Sequence, residues 1–286
     1  MVDSKINNNQ IKNDSSFSNR EKVVVCWSGG KDSALALHEM LTTHKDTYEV
    51  VGLMTTINDE INRVTMHGVR KELIRKQSEV IGIPLIEMIT PLTCTYEDYE
   101  RVFLQTLDKI KELGVSKIVF GDIFLEDLKK YREDLLAKKN MTCLLPIWKI
   151  DTKEIMRRNF ELKIEAIIVC GNTKYFKEES MGSIINEAFL STFHAECDPA
   201  GENGEFHTYV VNAPYFKERI ETTLGERLLK TWDFNVKVEE NKTEEKCEEN
   251  NIETKKQGND EETTTNLKQE KVGFWYIDLL LKENLN

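Results

Sequence analysis

The sequence predicts an α/β fold: a doubly wound, mostly parallel sheet with a smaller C-terminal α+β subdomain. Three observations predict it. Apolar, β-branched runs alternate with amphipathic helical stretches over residues 21–171, the pattern of parallel strands covered by helices on both faces. The first run, Val23-Val24-Val25-Cys26-Trp27, stops at Gly29-Gly30, and a helix begins at once. Past Gly171 the alternation gives way to loops and to strand-like runs that flank an acidic stretch.

Taken in order, residues 1–20 are rich in Asn and Ser and read as a disordered tail. The strand at Val23 leads through Ser28–Ser33 into a helix, and Tyr48–Thr56 is a second strand. Met66–Ile81 has apolar residues at helical spacing, with His67, Arg70 and Lys71 on one side, the ordinary pattern of a solvated cationic face. Ile83–Met88 is a third strand, and Tyr96–Leu113 is a helix closed by Gly114. Ser116–Phe120, a fourth strand, runs into Gly121-Asp122 and then a charged helical stretch holding Glu126, Asp127, Tyr131 and Arg132. Met141–Leu145 is a fifth strand. Asp151 and Thr152 are N-cap types for the helix Lys153–Asn159, and Ile164–Cys170 is a sixth strand.

Gly182–Phe193 reads as one more helix, Tyr209-Val210-Val211 as a strand, and Arg227–Val238 and Val272–Leu281 as two further strands. Between the last two, residues 239–271 hold ten Glu, one Asp and six Lys, which is −5 of the chain's formal −11. With almost no apolar residue this segment predicts a disordered acidic insert between two strands of one small sheet, a loop that costs little to close. The expected organisation is a tail over 1–20, a nucleotide-binding domain over 21–171, an acceptor-side subdomain of 172–238 plus 272–282, and the insert at 239–271.

Two stretches carry chemistry. In Ser28-Gly29-Gly30-Lys31-Asp32-Ser33, a Gly-rich turn sits between a buried strand and a helix N-terminus. Unpaired amides and the positive end of the helix dipole converge there, so the turn is an anion site. Lys31 adds a cation and Ser28 and Ser33 add hydroxyls, a set suited to a polyphosphate. The spacing differs from the ordinary P-loop, whose Gly-Lys is followed by Ser or Thr. If strand order reverses between the first and fourth strands, Gly121-Asp122 meets this loop in one crevice. Asp122 would then hold magnesium on the phosphates or cap the next helix.

The second stretch is Asp198-Pro199-Ala200-Gly201-Glu202-Asn203-Gly204-Glu205-Phe206-His207-Thr208. Asp198, Glu202, Glu205 and His207 are candidates for metal ligands or a general base; the same residues also suit a turn-rich lead-in to a strand. As a base, His207 or a Glu of this stretch could serve, a histidine near neutrality being the better match at pH 7.

Composition narrows the classes. The acidic balance opposes nonspecific grip on a nucleic-acid backbone. Six scattered cysteines form no CxxC pair, as in a reduced, cytoplasmic chain without a Cys zinc site. No apolar run reaches membrane-spanning length, and no signal peptide is expected.

Three blocks together resemble one family: Ser28–Ser33; Gly121-Asp122-Ile123-Phe124-Leu125-Glu126-Asp127-Leu128 with Tyr131-Arg132-Glu133; and Gly201–Thr208. The chain resembles the diphthine–ammonia ligases, pyrophosphate-loop members of the N-type ATP pyrophosphatases, from about Lys22 to Thr208. The first block is common to the superfamily and the third is specific to the family. The resemblance implies an adenine-nucleotide alpha-hydrolase-like fold and an ATP-dependent amidation. A carboxylate, that of diphthine on elongation factor two, is adenylated, and ammonia then displaces AMP to leave diphthamide.

Carried over by position, Ser28, Gly29, Gly30, Lys31, Asp32 and Ser33 would hold the ATP phosphates. Leu53 and Met54, at the end of the second strand, would sit by the adenine, and Gly121 and Asp122 would close the crevice. Glu202, Asn203, Gly204, Glu205 and His207 would build the acceptor side. The catalytic candidates are Lys31, Asp32, Glu202, Glu205 and His207, with Asp32 and Asp122 as ligands of Mg2+. Elongation factor two and ammonia are the implied partners, with no membrane and no stable nucleic-acid complex.

Ligases of this family usually have Gly at the position of Asn203 and Glu at that of His207. The Asn/His version resembles a bacterial-type branch. Two other readings stand beside the ligase: the same adenylating chemistry on a small-molecule carboxylate or a tRNA base, and a protein that binds adenine nucleotides without turnover.

Overall fold

The computed structural model describes residues 20–65, 67–237 and 267–282. The expected tail, apart from Arg20, and most of the expected acidic insert lie outside these residues. Leu267–Lys271, expected in the insert, instead belong to a strand.

The chain builds two sheets. In the first, the parallel neighbours run β4 (Leu85–Thr90), β2 (Tyr48–Asn58), β1 (Glu21–Cys26), β5 (Lys117–Val119) and β6 (Thr142–Leu144), and β3 (Arg63–Val64) adds an antiparallel stub on β2. Alternation along β1 sorts its side chains to two faces. Val23 and Val25 pack with Leu35 and Leu37 of α1 (Lys31–Leu41) and Leu73 and Ile74 of α2 (Lys71–Ile81). Val24 packs on the other face with Phe103 and Leu107 of α3 (Tyr96–Glu112) and Leu135 and Leu136 of α4 (Glu126–Ala137). Both faces are covered, as in a doubly wound sheet.

Order reverses between β1 and β5. The chain leaves β1 outward through β2 and β4, and α3 brings it back to β5 on the other side of β1. That switch point is where ligands bind in open α/β sheets. It sets the loop after β1 against the end of β5.

The second sheet is antiparallel, in the order β8 (Phe206–Asn212), β7 (Glu165–Asn172), β10 (Leu267–Leu281), β9 (Thr222–Lys237). Here the structure corrects the expected place of the sixth strand. The sixth strand, β7, does not extend the parallel sheet; after α5 (Thr152–Glu161) the chain leaves it and β7 pairs with β8 and β10. A strand buried on both faces reads alike in parallel and antiparallel sheets, so its periodicity carried no sign of this. The two sheets share one core, in which Ile167, Val169, Tyr209 and Val211 pack with the α1 and α2 face of the first.

Two expected helices are shorter than their patterns. The Met66–Ile81 helix starts only at Lys71: Gly68 takes a left-handed turn at φ 68° and Arg70 bridges back to Arg63. His67, Arg70 and Lys71 therefore share no helix face. The Gly182–Phe193 helix shrinks to α6 (Glu187–Leu190). Its first residues instead pair with β7, Ile185 N–H donating to Ala166 and Ile168 N–H to Ser183 at 2.9 Å each. At α5 the expected cap holds, Asp151 accepting from the amides of Lys153 and Glu154. Among the described residues no helix is long and apolar enough to cross a membrane.

Candidate active site

The loop joining β1 to α1 is fixed from behind by a polar residue in the core. Gln77, fully buried on α2, donates to the carbonyls of Gly29 (3.1 Å) and Val210 (2.7 Å) and accepts from the Trp27 indole (2.9 Å). The Val210 amide donates to the Gly29 carbonyl at 2.8 Å. A buried polar side chain is tolerated when its donors and acceptors are satisfied, as here. The loop and strand β8 are thereby tied through one side chain. Ser33 Oγ donates to the Gly30 carbonyl at 2.9 Å and lies 3.2 Å from Ser28 Oγ.

Lys31 opens α1 and is buried. Its amide donates to Thr208 Oγ1 at 3.0 Å. Its ammonium pairs with Asp32 at 2.8 Å, donates to the Ala200 carbonyl, and lies 5.0 Å from the centre of the Phe206 ring. Thus the second informative stretch holds both the backbone and the side chain of the loop lysine. Burial pushes the Asp32 carboxyl up, with Lys31 opposing the rise.

Asp198 and Glu205 shape that stretch from inside. Asp198 Oδ1 accepts from the amides of Ala200 (2.9 Å) and Glu202 (3.2 Å). Glu205 accepts from the Asp198 amide (3.0 Å), the Asn203 amide (3.0 Å) and the Asn203 side chain (3.1 Å). Glu205 is buried and fully engaged within its own loop, an arrangement that suits a structural anchor rather than an acid or base. Asn203 gains a reason: its side chain supplies a donor to Glu205 that glycine lacks.

Glu202 is placed differently. Its Oε1 accepts from the amides of Ile123 (2.7 Å) and Phe124 (3.4 Å), just past the end of β5. Burial pushes its carboxyl up to about 7, and the charges of Asp32 and Asp122 add to the rise against those two amide bonds. The group titrating near neutrality is therefore Glu202, not His207. Burial, then His67 and Lys31, hold the His207 imidazole well below its usual value.

Gly121 comes close to the start of α1: a Cβ there would lie 2.9 Å from the Asp32 carbonyl and the Ser33 nitrogen. Only a residue without a side chain lets the end of β5 meet the loop so closely. Asp122 neither caps the next helix nor stands free. The N-cap of α4 is Leu125, and Asp122 pairs with Arg132 at 2.6 Å, whose guanidinium lies 4.2 Å from the Phe120 ring centre.

Leu53 and Met54 lie in the middle of β2, which continues to Asn58, and their side chains are buried in the cores on opposite faces. Neither side chain lines the crevice. What Met54 offers there is backbone, its carbonyl accepting from the Trp27 amide at 2.6 Å. The sequence reading missed Gln77, Thr208 as the tether of Lys31, and His67, whose ring centre lies 4.6 Å from that of His207. Nothing in a helical pattern marks a polar position as buried, and a short turn motif such as that around Gly68 masked His67.

The turn after β1, with its buried lysine, thus lies beside a carboxyl that titrates near neutrality. Two family models match the chain. Residues 21–141 match the family model of the diphthamide synthase N-terminal domain, and residues 151–246 match that of the diphthamide synthase C-terminal domain. The diphthine–ammonia ligase of Rattus norvegicus is 22% identical over 237 residues, covering 74% of this chain and 86% of that protein. That of Homo sapiens is 20% identical over 219 residues, covering 70% of this chain and 82% of that protein. That of Schizosaccharomyces pombe is 23% identical over 220 residues, covering 71% of this chain and 36% of that protein. With its two halves matched in order by the two domains of one enzyme, the chain belongs to the diphthamide synthase family.

Proposed function

We propose that this protein is an ATP-dependent carboxylate–ammonia ligase that adenylates diphthine on elongation factor two and converts it to diphthamide. The observation that carries the reading is the grip of the stretch Ala200–Thr208 on both sides of the crevice. Thr208 and Ala200 bind Lys31, and Glu202 binds the amides of Ile123 and Phe124. These contacts support a two-substrate site, with acceptor-side residues beside the phosphate loop, over a simple nucleotide-binding module.

The residues fit a nucleotide polyphosphate. The first-turn amides of α1 have no partner within the helix, Gly121 leaves room for backbone approach, and Lys31 is a buried cation at the loop. Bound ATP supplies the α-phosphorus that the acceptor carboxylate attacks, with pyrophosphate leaving. Lys31 and the loop amides hold the phosphate charge at fixed positions, so no reorganisation is needed as charge develops. Glu202 takes the proton that ammonia gives up as the C–N bond forms and the C–O bond to AMP breaks.

Asp32 and Asp122 fit poorly as a ready-made Mg2+ cage. Each carboxylate already holds a cation, Lys31 or Arg132. Among the described residues no group of three His, Cys, Asp or Glu could hold a metal ion.

Product analysis tests the reading. With α-labelled ATP, magnesium and ammonium, AMP should form only when diphthine-bearing elongation factor two is present, together with its amidation. AMP formed without that protein would move the chemistry to another acceptor. ADP, or no turnover, would refute the adenylating reading.

A further inference from the structure

Resting on the ligase reading, we propose that His67 and His207 together form the seat of the ammonia nucleophile, beside the phosphate loop. The two rings come from distant parts of the chain, the turn before α2 and strand β8, yet their centres lie 4.6 Å apart, tilted by 35°. They border the loop directly: a Cβ on Gly30 would lie 3.1 Å from His67 Cε1 and 3.2 Å from the Thr208 carbonyl. Both side chains are partly accessible.

The hydrogen bonds fix what the pair can recognise. His67 Nδ1 lies 3.2 Å from the Thr208 carbonyl oxygen. A carbonyl only accepts, so Nδ1 carries the hydrogen, and Nε2 of the neutral ring keeps its lone pair. Neither His207 nitrogen nor His67 Nε2 has a hydrogen-bond partner among the described residues.

Lone pairs on neutral imidazoles attract N–H donors and repel anions. Burial above all, with the charge of Lys31 on α1 adding to it, disfavours protonated rings here. The nearest acid on α1, Asp32, is spent on Lys31. Behind His67, Asp278 of β10 is spent on Arg63 and Arg70 at 2.9 and 2.6 Å. The ligand that fits is small, neutral and donor-rich, which is ammonia rather than ammonium or a carboxylate.

With their centres 4.6 Å apart, the two rings are close enough for one ligand nitrogen to reach an acceptor on each, a hydrogen bond spanning roughly 3 Å between heavy atoms. Two N–H groups of ammonia then point at the imidazoles and its lone pair is free for the carbonyl carbon. The C–N bond forms, the C–O bond to AMP breaks, and the surplus proton goes to Glu202. Asp278, through Arg63 and Arg70, positions the turn that carries His67.

Two measurements test this. First, in wild-type protein with isotope-labelled histidine, ammonium chloride at mildly alkaline pH should shift the ring-nitrogen NMR signals of His67 and His207 saturably, without nucleotide, while sodium chloride should not. An absence of shifts overturns the proposal whatever the protein catalyses. Second, His67→Ala should raise KM for ammonium about tenfold and KM for ATP less than twofold, with His67→Gln, which keeps an acceptor, between the two. Equal rises in both KM values would mean a structural role and overturn it. Failure of wild-type protein to make AMP with diphthine-bearing elongation factor two would overturn the ligase reading instead.

Discussion

Replacing Glu202 with Gln separates two things the wild-type carboxylate does at once. It accepts from the amides of Ile123 and Phe124, which an amide oxygen can also do, and it titrates near 7, which an amide cannot. The sign follows from the direction of the shift. A carboxyl raised from 4.5 to about 7 binds a proton in the folded state that it releases in the unfolded state over that window. Folding stability in wild type therefore carries no penalty below about 4.5, falls as pH rises, and carries the full penalty above about 7. A rise of that size corresponds to about 3 kcal/mol, and screening by solvent at a partly accessible side chain cuts it to about 1–3 kcal/mol.

Glu202→Gln should therefore be more stable than wild type at pH 8 by about 1–3 kcal/mol, with most of the gain gone by pH 5. Urea denaturation at the two pH values measures it. Activity should move the other way: kcat should fall about a hundredfold or more if Glu202 takes the proton from the nucleophile, and the acid limb of the wild-type pH profile should vanish. An equal stability difference at both pH values would refute the burial argument. An unchanged acid limb would refute the role as base.

Three other perturbations follow from the same geometry. Lys31→Met should abolish AMP formation and, contrary to what a surface lysine would predict, destabilise the fold by up to about 3 kcal/mol, because a buried partner of Asp32 is removed; denaturant midpoints check this. Gly121→Ala should destabilise by about 1–3 kcal/mol, since its Cβ would meet rigid backbone rather than a flexible side chain; thermal unfolding and KM for ATP report it together. Gln77→Leu removes three buried hydrogen bonds and strands the Trp27 indole N–H, at a cost of about 2–4 kcal/mol; Trp27 fluorescence reports the change locally.

Much of the nucleotide half was legible because its signals are local. The run Val23–Trp27, the string Ser28–Ser33 and the pair Gly121-Asp122 are contiguous, and only the strand order was needed to bring them together. The stretch 198–208 was legible as chemistry but not as geometry. Glu202, Glu205 and His207 are all polar residues of one stretch, yet the fold gives them three different states. One carboxyl is raised by burial, one is saturated by amides of its own loop, and one imidazole is held neutral against a second. Those states depend on neighbours far away in sequence. His67 was lost to a helical pattern that Gly68 interrupts, and β7 was assigned to the wrong sheet because full burial erases the distinction between sheet types.

The tether between Lys31 and Thr208 also bears on how the molecule assembles. The two residues are 177 positions apart, so the loop reaches its final form only after a strand far downstream has docked. Contacts of such sequence separation form late and slow folding. A refolding chain should thus complete the parallel sheet's local helices before it can hold a nucleotide, and the appearance of ATP affinity should lag behind secondary structure. A partner that must be ordered from so far away also makes the two sheets poor candidates for separation: cutting the chain between them removes no loop residue, yet leaves the loop without the acceptor that receives its lysine amide.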